Sequence, residues 1–239
     1  MKFSLCIPMY NEASIIEETA KTLSAYMSEH FEDYEILFAD DGSTDKSAAL
    51  VETLALPNVR VVGYEKNRGK GAAVRTAVLS SVGDIVMFTD ADLAYGTEVI
   101  ARVAEAFSEH PEADAVIGSR NIAKDGYEGY TPIRKLASKT YIKLLCLAGG
   151  LKLSDSQCGC KAFRGDMARR IFPYCEVDGF AFDFEAIMIG TRLGARFFEL
   201  PVKVINHRES KVHVFSDALK MMGDLRKMKK RVAKLELEV

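Results

Sequence analysis

The chain has 239 residues, of which 48% are hydrophobic and 28% are charged, with a formal net charge of −2. This length allows a full hydrophobic core, and the near-neutral charge argues against a nucleic-acid partner. The five cysteines lack zinc-ligand spacing, the N-terminus does not resemble a signal peptide, and no run of about 18 apolar residues occurs. We therefore expect reduced thiols and no membrane-spanning helix.

Short β-rich runs alternate with helical patterns through the first half of the chain. In chain order, the predicted strands are FSLCI, EILFA, VRVVG, DIVMF and AVIG, and the predicted helices cover about residues 13–30, 45–54, 71–81 and 98–109. Strands that are apolar on both faces, with helices between them, are typical of a buried parallel sheet. The sequence therefore predicts an α/β fold with a mostly parallel central sheet flanked by helices.

The second half is less periodic. We predict a helix over about residues 133–148, a polar loop at LSDSQCGCKAFRG, a strand-like start that passes into a helix at FAFDFEAIMIGTRLG, and one or two strands broken at Pro201 in RFFELPVKVINH. Residues 212–239 predict a basic amphipathic helix. Its apolar stripe suits packing on the domain, pairing with a second subunit as a homodimer, or peripheral contact with an anionic membrane.

Polar clusters follow all five predicted strands of the first half. They are PMYNE, DDGSTD, KNRGKG, TDAD and SRN. In parallel sheets ligands bind beyond the carboxyl ends of the strands, so these clusters predict a binding site at one edge of the sheet.

The motif TDAD places Asp90 and Asp92 directly after an apolar strand. The pair alone suits either a cation site or the cap of the next helix. Its position at the predicted binding edge favours a cation, and hard carboxylate oxygens suit Mg²⁺ or Mn²⁺ when a diphosphate completes the coordination shell.

The run NRGKGAAVRTAV has glycines that open a helix, where free backbone N–H groups attract phosphate. It is not a P-loop, because Gly63 is one residue too far upstream and Gly71 stands where Ser or Thr is required. It is not a dinucleotide fingerprint either, because Val74 takes the place of the third glycine. A different phosphate-bearing ligand is indicated.

The run ADDGSTD follows the second strand. It suits a turn in which Ser43 or Asp45 caps the next helix. The neighbouring carboxylates of Asp40 and Asp41 adjoin a buried strand and are costly there unless something pairs with them, such as a ribose hydroxyl or a base N–H group.

As a set, IPMYNE, DDGSTD, NRGKG and TDAD resemble the nucleotide-sugar-binding half of family 2 glycosyltransferases with the GT-A fold. In the second half, VIGSRN, IRKLASKTYIKLL, DSQCGCKAF and FDFE resemble dolichyl- or polyprenyl-phosphate glycosyltransferases, and the Gln-Cys-Gly run is closer to the glucosyl branch. The resemblance implies a glycosyltransferase domain over residues 1–211, with a donor half over 1–118 and an acceptor half over 119–211. It also implies an inverting transfer from a UDP-sugar to a polyprenyl phosphate at the cytosolic membrane face.

The resemblance carries residue roles over to matching positions of this sequence. The implied donor-binding residues are Pro8, Tyr10, Glu12, Asp41, Gly69, Lys70, Asp90 and Ala91, with Asp90 and Asp92 as ligands of the metal. The residues implied to hold the acceptor phosphate are Arg120, Arg134 and Ser138.

The need for a catalytic base depends on the acceptor. A lipid phosphate is already nucleophilic near neutral pH, whereas a sugar or protein hydroxyl needs a base, for which Asp155 and Asp183 are the candidates. Asp183 also suits a simple helix cap. Two alternatives stay open: a transferase with a soluble or glycan hydroxyl acceptor, and a nucleotide-sugar-binding module without activity.

Overall fold

A computed structural model of the chain describes residues 1–206, 225 and 227–237, without the side chains of six residues between 132 and 148. Within this part of the chain, seven strands form one sheet in the order β3-β2-β1-β4-β6-β5-β7. Neighbouring strands are parallel except β6, which is antiparallel to both β4 and β5. The strands are β1 Phe3–Met9, β2 Tyr34–Asp41, β3 Val59–Tyr64, β4 Ile85–Phe88, β5 Ala115–Ser119, β6 Lys161–Arg164 and β7 Phe197–Pro201. The predicted α/β class is confirmed.

Six of the seven predicted helices are present as α1–α5 and α7, and the seventh, at the C-terminus, is described only in part. Helix α1 begins at Ile16 rather than Ala13, because the N–H groups of Ile15 and Ile16 both bond to the carbonyl of Glu12 in a preceding turn. The helices are α1 Ile16–His30, α2 Ser47–Thr53, α3 Lys70–Ser80, α4 Glu98–Glu109, α5 Pro132–Gly149, α6 Gly165–Ile171 and α7 Phe182–Arg192. A further helical segment covers residues 227–234.

Two predictions in the second half were wrong or incomplete. The predicted polar loop contains β6. Its first residue, Lys161, is fully buried, but a lysine gives a polar signal in the sequence, so the strand was not predicted. The predicted strand-like start before α7 is absent, since residues 182–190 are helical and buried on every side, which removes the periodic signal of a surface helix. In the run RFFELPVKVINH, β7 ends at Pro201, where the break was predicted, and α6 had not been predicted.

Two apolar clusters cover the two faces of the sheet. Along β1, Leu5 and Ile7 belong to the cluster that packs with α1, α2 and α4, whereas Cys6 belongs to the cluster that packs with α3, α6 and α7. Side chains of a strand alternate between faces, so each central strand contributes to both cores. The runs read as continuously apolar for this reason.

The described part of the C-terminal segment packs on the domain. Leu225, Met228 and Val232 are buried and join the core cluster around α7, so packing on the domain is the alternative that these positions support. These three side chains are buried and are not available to lipid, whereas membrane contact through the rest of the segment and the homodimer stay predictions. Residues 207–224, which include the first 13 residues of the predicted helix, lie outside the described part. No helix in the described residues is both long and apolar enough to cross a membrane.

Arg231 anchors this segment to the buried carboxylate of Glu185 on α7. The guanidinium also bonds to the carbonyl of Tyr174 at 3.1 Å and pairs with Glu176 at 3.2 Å. Glu185 has no solvent exposure, so its charge depends on this partner.

We predict that Arg231→Met lowers the free energy of unfolding by about 3–5 kcal/mol, because it leaves a buried carboxylate without its cation. Urea denaturation measures the change. The matched control is Lys230→Met, whose exposed side chain should shift stability by less than about 0.5 kcal/mol. Equal stability of the two variants would contradict the anchoring role of Arg231.

Candidate active site

The candidate site lies where β1, β2, β4 and β5 end. Because β6 runs antiparallel to them, its first residue lies at the same edge, and Lys161 is paired in register with Phe88, the last residue of β4. The turn that carries Asp90 and Asp92 follows directly. The predicted edge thus gains a buried lysine that the sequence analysis missed.

The carboxylate of Asp41 organises the loop between β3 and α3. It accepts hydrogen bonds from the Tyr64 hydroxyl at 2.6 Å, the Asn67 amide at 2.9 Å, and the backbone N–H groups of Arg68 and Gly69, each at 2.9 Å. Burial and this hydrogen bond raise the pKa of Tyr64, so its hydroxyl stays protonated and donates. These hydrogen bonds offset the free-energy cost of burying the Asp41 carboxylate. Its predicted contact with a base or ribose stays a prediction.

The start of α3 does not offer the free N–H groups that the sequence analysis predicted. The N–H of Gly71 donates to the carbonyl of Asp178 at 2.8 Å, and that of Ala72 donates to the same oxygen at 3.3 Å. A Cβ atom on Gly69 would lie 2.5 Å from that oxygen, and one on Gly71 would lie 2.4 Å from the carbonyl oxygen of Val177. The glycines are therefore explained by close packing against residues 177–179, and the predicted phosphate cradle is not found.

The turn after β4 holds its two aspartates firmly. Ala91 is buried, and its carbonyl accepts a hydrogen bond from the Thr19 hydroxyl at 2.8 Å. The carbonyl of Asp92 accepts one from the Asn206 amide at 2.6 Å, and the Asp92 side chain accepts the N–H of Ala94 at 3.1 Å. A Cβ atom at Gly159 would lie 2.3 Å from Asp90 Oδ2, so a glycine is needed where that loop passes the carboxylate.

The two carboxylates fit a divalent cation whose shell is completed by a donor phosphate. Within the described residues no group of three His, Cys, Asp or Glu side chains is placed to hold a metal by itself. Asp90 and Asp92 supply hard oxygens on one rigid turn, as Mg²⁺ and Mn²⁺ prefer. Asp90 is already engaged by a cation, because Lys70 Nζ is bonded to its Oδ1 atom.

Two lysines and two aspartates form a charge cluster beneath this turn. Lys70 pairs with Asp90, and Lys161 Nζ lies 3.2 Å from Asp183 Oδ2. Burial raises the pKa of Asp183, and the nearby ammonium groups of Lys161 and Lys70 oppose that rise. Burial alone would lower the pKa of Lys70, but Asp90 and the other nearby aspartates raise it above its ordinary value. Asp183 therefore lies among cations and is more than a helix cap.

The second candidate base, Asp155, is fully engaged. Its Oδ2 atom accepts Arg120 Nε at 2.7 Å, and its Oδ1 atom accepts Arg120 Nη2 at 3.0 Å and the N–H of Gln157 at 3.1 Å. The carboxylate has no solvent exposure. This bidentate geometry favours a role in orienting Arg120 over a role as a base.

Tyr127 connects Arg120 to α5. Its ring lies 5.7 Å from the Arg120 guanidinium carbon and 5.5 Å from Lys139 Nζ, and its hydroxyl donates to Asn121 at 2.9 Å. Ser138 lies within hydrogen-bonding reach of the same hydroxyl. Arg120 and Ser138 are thus brought together around Tyr127, a residue that the sequence analysis did not single out. The side chain of Arg134, in the first turn of α5, lies outside the described part of the chain.

The remaining predicted donor residues lie at the end of β1. Pro8 is partly exposed within the strand, and Tyr10 is exposed beyond it. The N–H of Glu12 donates to the Ser47 hydroxyl at 2.8 Å, and Asn11 accepts the N–H of Thr44 at 2.8 Å. These bonds join the PMYNE and DDGSTD loops, so the two motifs form one surface.

We predict that Gly71→Ala lowers the free energy of unfolding by about 1–3 kcal/mol without any nucleotide, because the added methyl meets backbone atoms. Urea denaturation tests this. Gly179→Ala is the control: its Cβ atom would meet nothing within 4 Å, and it should change stability by less than about 0.5 kcal/mol. If Gly71→Ala kept full stability and lost only nucleotide binding, the phosphate-cradle interpretation would be correct instead.

Solved structures share the fold. Glucosyl-3-phosphoglycerate synthase from Mycobacterium tuberculosis, in complex with UDP, superposes with a TM-score of 0.70 at 19% identity, over 96% of this chain and 80% of that one. Mannosyl-3-phosphoglycerate synthase from Rubrobacter xylanophilus gives a TM-score of 0.66 at 18% identity, over 100% of this chain and 77% of that one. The predicted GT-A fold is confirmed.

Sequence comparison is more specific. A dolichyl-phosphate beta-glucosyltransferase of Dictyostelium discoideum is 31% identical over 93% of this chain and 72% of its own length. One from Trichomonas vaginalis is 32% identical over 92% of this chain and 68% of its own length. The family model described as Glycosyl transferase family 2 matches residues 4–172. The chain belongs to glycosyltransferase family 2.

Proposed function

We propose that this enzyme transfers glucose from UDP-glucose to a polyprenyl phosphate, with inversion at the anomeric carbon and with Mg²⁺ or Mn²⁺ as its cofactor. The named relatives above are dolichyl-phosphate beta-glucosyltransferases. Another structure of the mycobacterial synthase, with a TM-score of 0.69 to this chain, was solved with Mn²⁺ and UDP-glucose. Both observations support this donor and cofactor.

The donor side is supported by the turn after β4. Asp90 and Asp92 would hold the metal, which neutralises the charge that develops on the departing diphosphate. No acid is then needed to protonate the leaving group. The joined PMYNE and DDGSTD loops at the ends of β1 and β2 offer a continuous surface for the nucleoside.

The observation that carries the acceptor class is a cleft of about 370 Å³ beside Arg120. It is lined by Asn121 and Ser154, by two lysines of α5, Lys139 and Lys143, and by Cys146, Leu147, Leu151 and Leu153. Ammonium groups next to leucines suit a phosphate attached to a hydrocarbon chain, and Leu147 is 67% exposed. Neither a small anion nor a glycan accounts for both parts of this lining.

Arg120 is placed to contribute to the same phosphate. Asp155 engages its Nε and Nη2 atoms, so Nη1 is the guanidinium nitrogen that the pair does not use. A guanidinium fixed in this way loses little conformational entropy when it binds a second anion. A lipid phosphate is largely dianionic at neutral pH, so it can attack the sugar without a catalytic base.

A hydroxyl acceptor is the second candidate, and Asp183 is the observation that favours it. Its Oδ1 atom is buried without a hydrogen-bond partner in the described residues, and burial raises its pKa, as is common for a general base. This candidate predicts product with a soluble alcohol acceptor.

We predict that the purified protein with Mn²⁺ transfers label from UDP-glucose to dolichyl or undecaprenyl phosphate. The measurement is a panel of radiolabelled UDP-glucose, UDP-galactose and GDP-mannose against these lipids, 3-phosphoglycerate and an oligosaccharide. Asp92→Asn should reduce turnover at least about 100-fold, since metal stabilisation of the leaving group is worth several kcal/mol. Product only with the soluble acceptors would refute the lipid acceptor, and donor binding without any product would indicate a non-catalytic module.

We also predict that Lys139→Met combined with Lys143→Met raises KM for the lipid phosphate about tenfold and leaves KM for UDP-glucose unchanged, because both lysines line the cleft proposed for the acceptor. Lys152→Met, an exposed lysine outside the lining, is the control. A rise in KM for UDP-glucose instead would show that the cleft does not receive the acceptor.

With a lipid acceptor, we place the reaction at the cytosolic face of a membrane. Sedimentation of the protein with vesicles that contain polyprenyl phosphate tests this placement.

A further inference from the structure

The charge cluster beneath the turn of Asp90 and Asp92 contains a carboxylate oxygen that receives no hydrogen bond. Asp183 is 5% exposed, and its Oδ2 atom pairs with Lys161, but its Oδ1 atom accepts no hydrogen bond from any residue that the structure describes. A buried carboxylate oxygen without a hydrogen bond carries the full free-energy penalty of losing its water. A penalty of this kind at the centre of a site indicates that the atom is satisfied in another state of the enzyme.

Lys70 is a second cation that interacts with Asp183, beside Lys161, which already pairs with the other carboxylate oxygen. Its ammonium bonds to Asp90 and interacts electrostatically with Asp183 and Asp92, so it lies among three carboxylates. The backbone at Lys70 is fixed, because the N–H group of the next residue, Gly71, is hydrogen-bonded to the carbonyl of Asp178. A lysine stem is flexible, so the ammonium can change partners while α3 stays in place.

A divalent cation at Asp90 and Asp92 cannot share Asp90 with this ammonium without strong repulsion, since like charges on one carboxylate lie only a few Å apart. The displaced ammonium needs another anion, because a buried cation without a partner is costly. Asp183 Oδ1 is a buried anionic acceptor that no described residue uses.

On the basis of the proposed function, we propose that Lys70 is an internal substitute for the metal: it holds Asp90 in the metal-free enzyme and moves to Asp183 Oδ1 when the cation binds.

Metal binding changes the sign of the net charge of the site. Three carboxylates and two ammonium groups leave one net negative charge, and a divalent cation converts it to one net positive charge. The anionic diphosphate of the donor is therefore attracted only after the metal has entered. The arrangement orders binding, with the metal before the nucleotide sugar or together with it, and it keeps Asp90 neutralised in the meantime.

The test is a titration of the nucleotide-free full chain with Mn²⁺, in which electron paramagnetic resonance measures the free ion. Lys70→Met removes the competing ammonium and should bind Mn²⁺ about tenfold more tightly than the wild type, which corresponds to the loss of one nearby like charge. Lys66→Met, which removes an exposed lysine from the same loop, is the matched control and should change affinity less than about twofold.

Asp183→Asn provides the second arm. It should weaken Mn²⁺ binding several-fold in the wild-type background, where the displaced Lys70 loses its new partner, and have no effect in the Lys70→Met background. Non-additivity of this kind is the signature of two residues that act as a unit. An equal penalty in both backgrounds, or unchanged or weaker binding by Lys70→Met, overturns the exchange.

Asp183→Asn also removes the partner of Lys161, so its folding is checked by circular dichroism. If it does not fold, the comparison of Lys70→Met with Lys66→Met decides alone. Failure of both wild type and Lys70→Met to bind Mn²⁺ without nucleotide contradicts the exchange, whereas the metal site, whose shell a donor phosphate completes, is judged by the metal dependence of the transfer assay. Tighter binding by Lys70→Met, together with no sugar transfer by the wild type, contradicts only the proposed function.

Discussion

The buried pair of Lys161 and Asp183 is the interaction on which the sheet edge that carries Asp90 and Asp92 depends. Both side chains are almost completely removed from water, where an isolated charge costs several kcal/mol unless a partner compensates it. Lys161 begins the antiparallel strand β6, and Asp183 lies in the first turn of α7. Because the pair must form, the centre of the sheet and α7 are joined directly below the turn that carries Asp90.

From α7, a chain of hydrogen bonds reaches the loop that precedes α3. Glu185 accepts the N–H groups of Glu176 and Val177 at 2.9 Å and 2.8 Å, and Arg231 balances its charge. Asp178, which follows Val177, accepts the first N–H groups of α3 with its backbone carbonyl. Its side chain binds Arg75 at 2.6 Å. The first turn of α3 therefore takes its position from the second half of the chain and from the C-terminal segment.

The two halves are joined in the sheet as well. Strand β6 comes from the second half of the chain and lies between β4 and β5, which come from the first half. On its far side, Arg120 follows β5 and is held by Asp155 from the loop before β6. The sheet edge that carries Asp90 and Asp92 and the cleft beside Arg120 are consequently held in fixed positions by one short strand and its flanking loops. Such an arrangement suits the proposed transfer, in which two anionic substrates must meet at a set distance.

The sequence alone determined the elements whose physical signals are local. Apolar strands, helix periodicity and polar residues after each strand predicted the sheet, helices α1–α5 and α7, and the edge that carries Asp41, Asp90 and Arg120. Both periodicity and strand polarity are properties of neighbouring residues. Strand β6 was missed, since a buried lysine gives a polar signal until its distant partner Asp183 is known. The tertiary structure also showed that the glycines of NRGKG pack closely against residues 177–179 and that Asp155 forms a bidentate pair with Arg120. Each of these outcomes depends on which charges and backbone groups meet across long sequence separations, and hydrogen-bond partners at such separations are chosen only when the chain has folded.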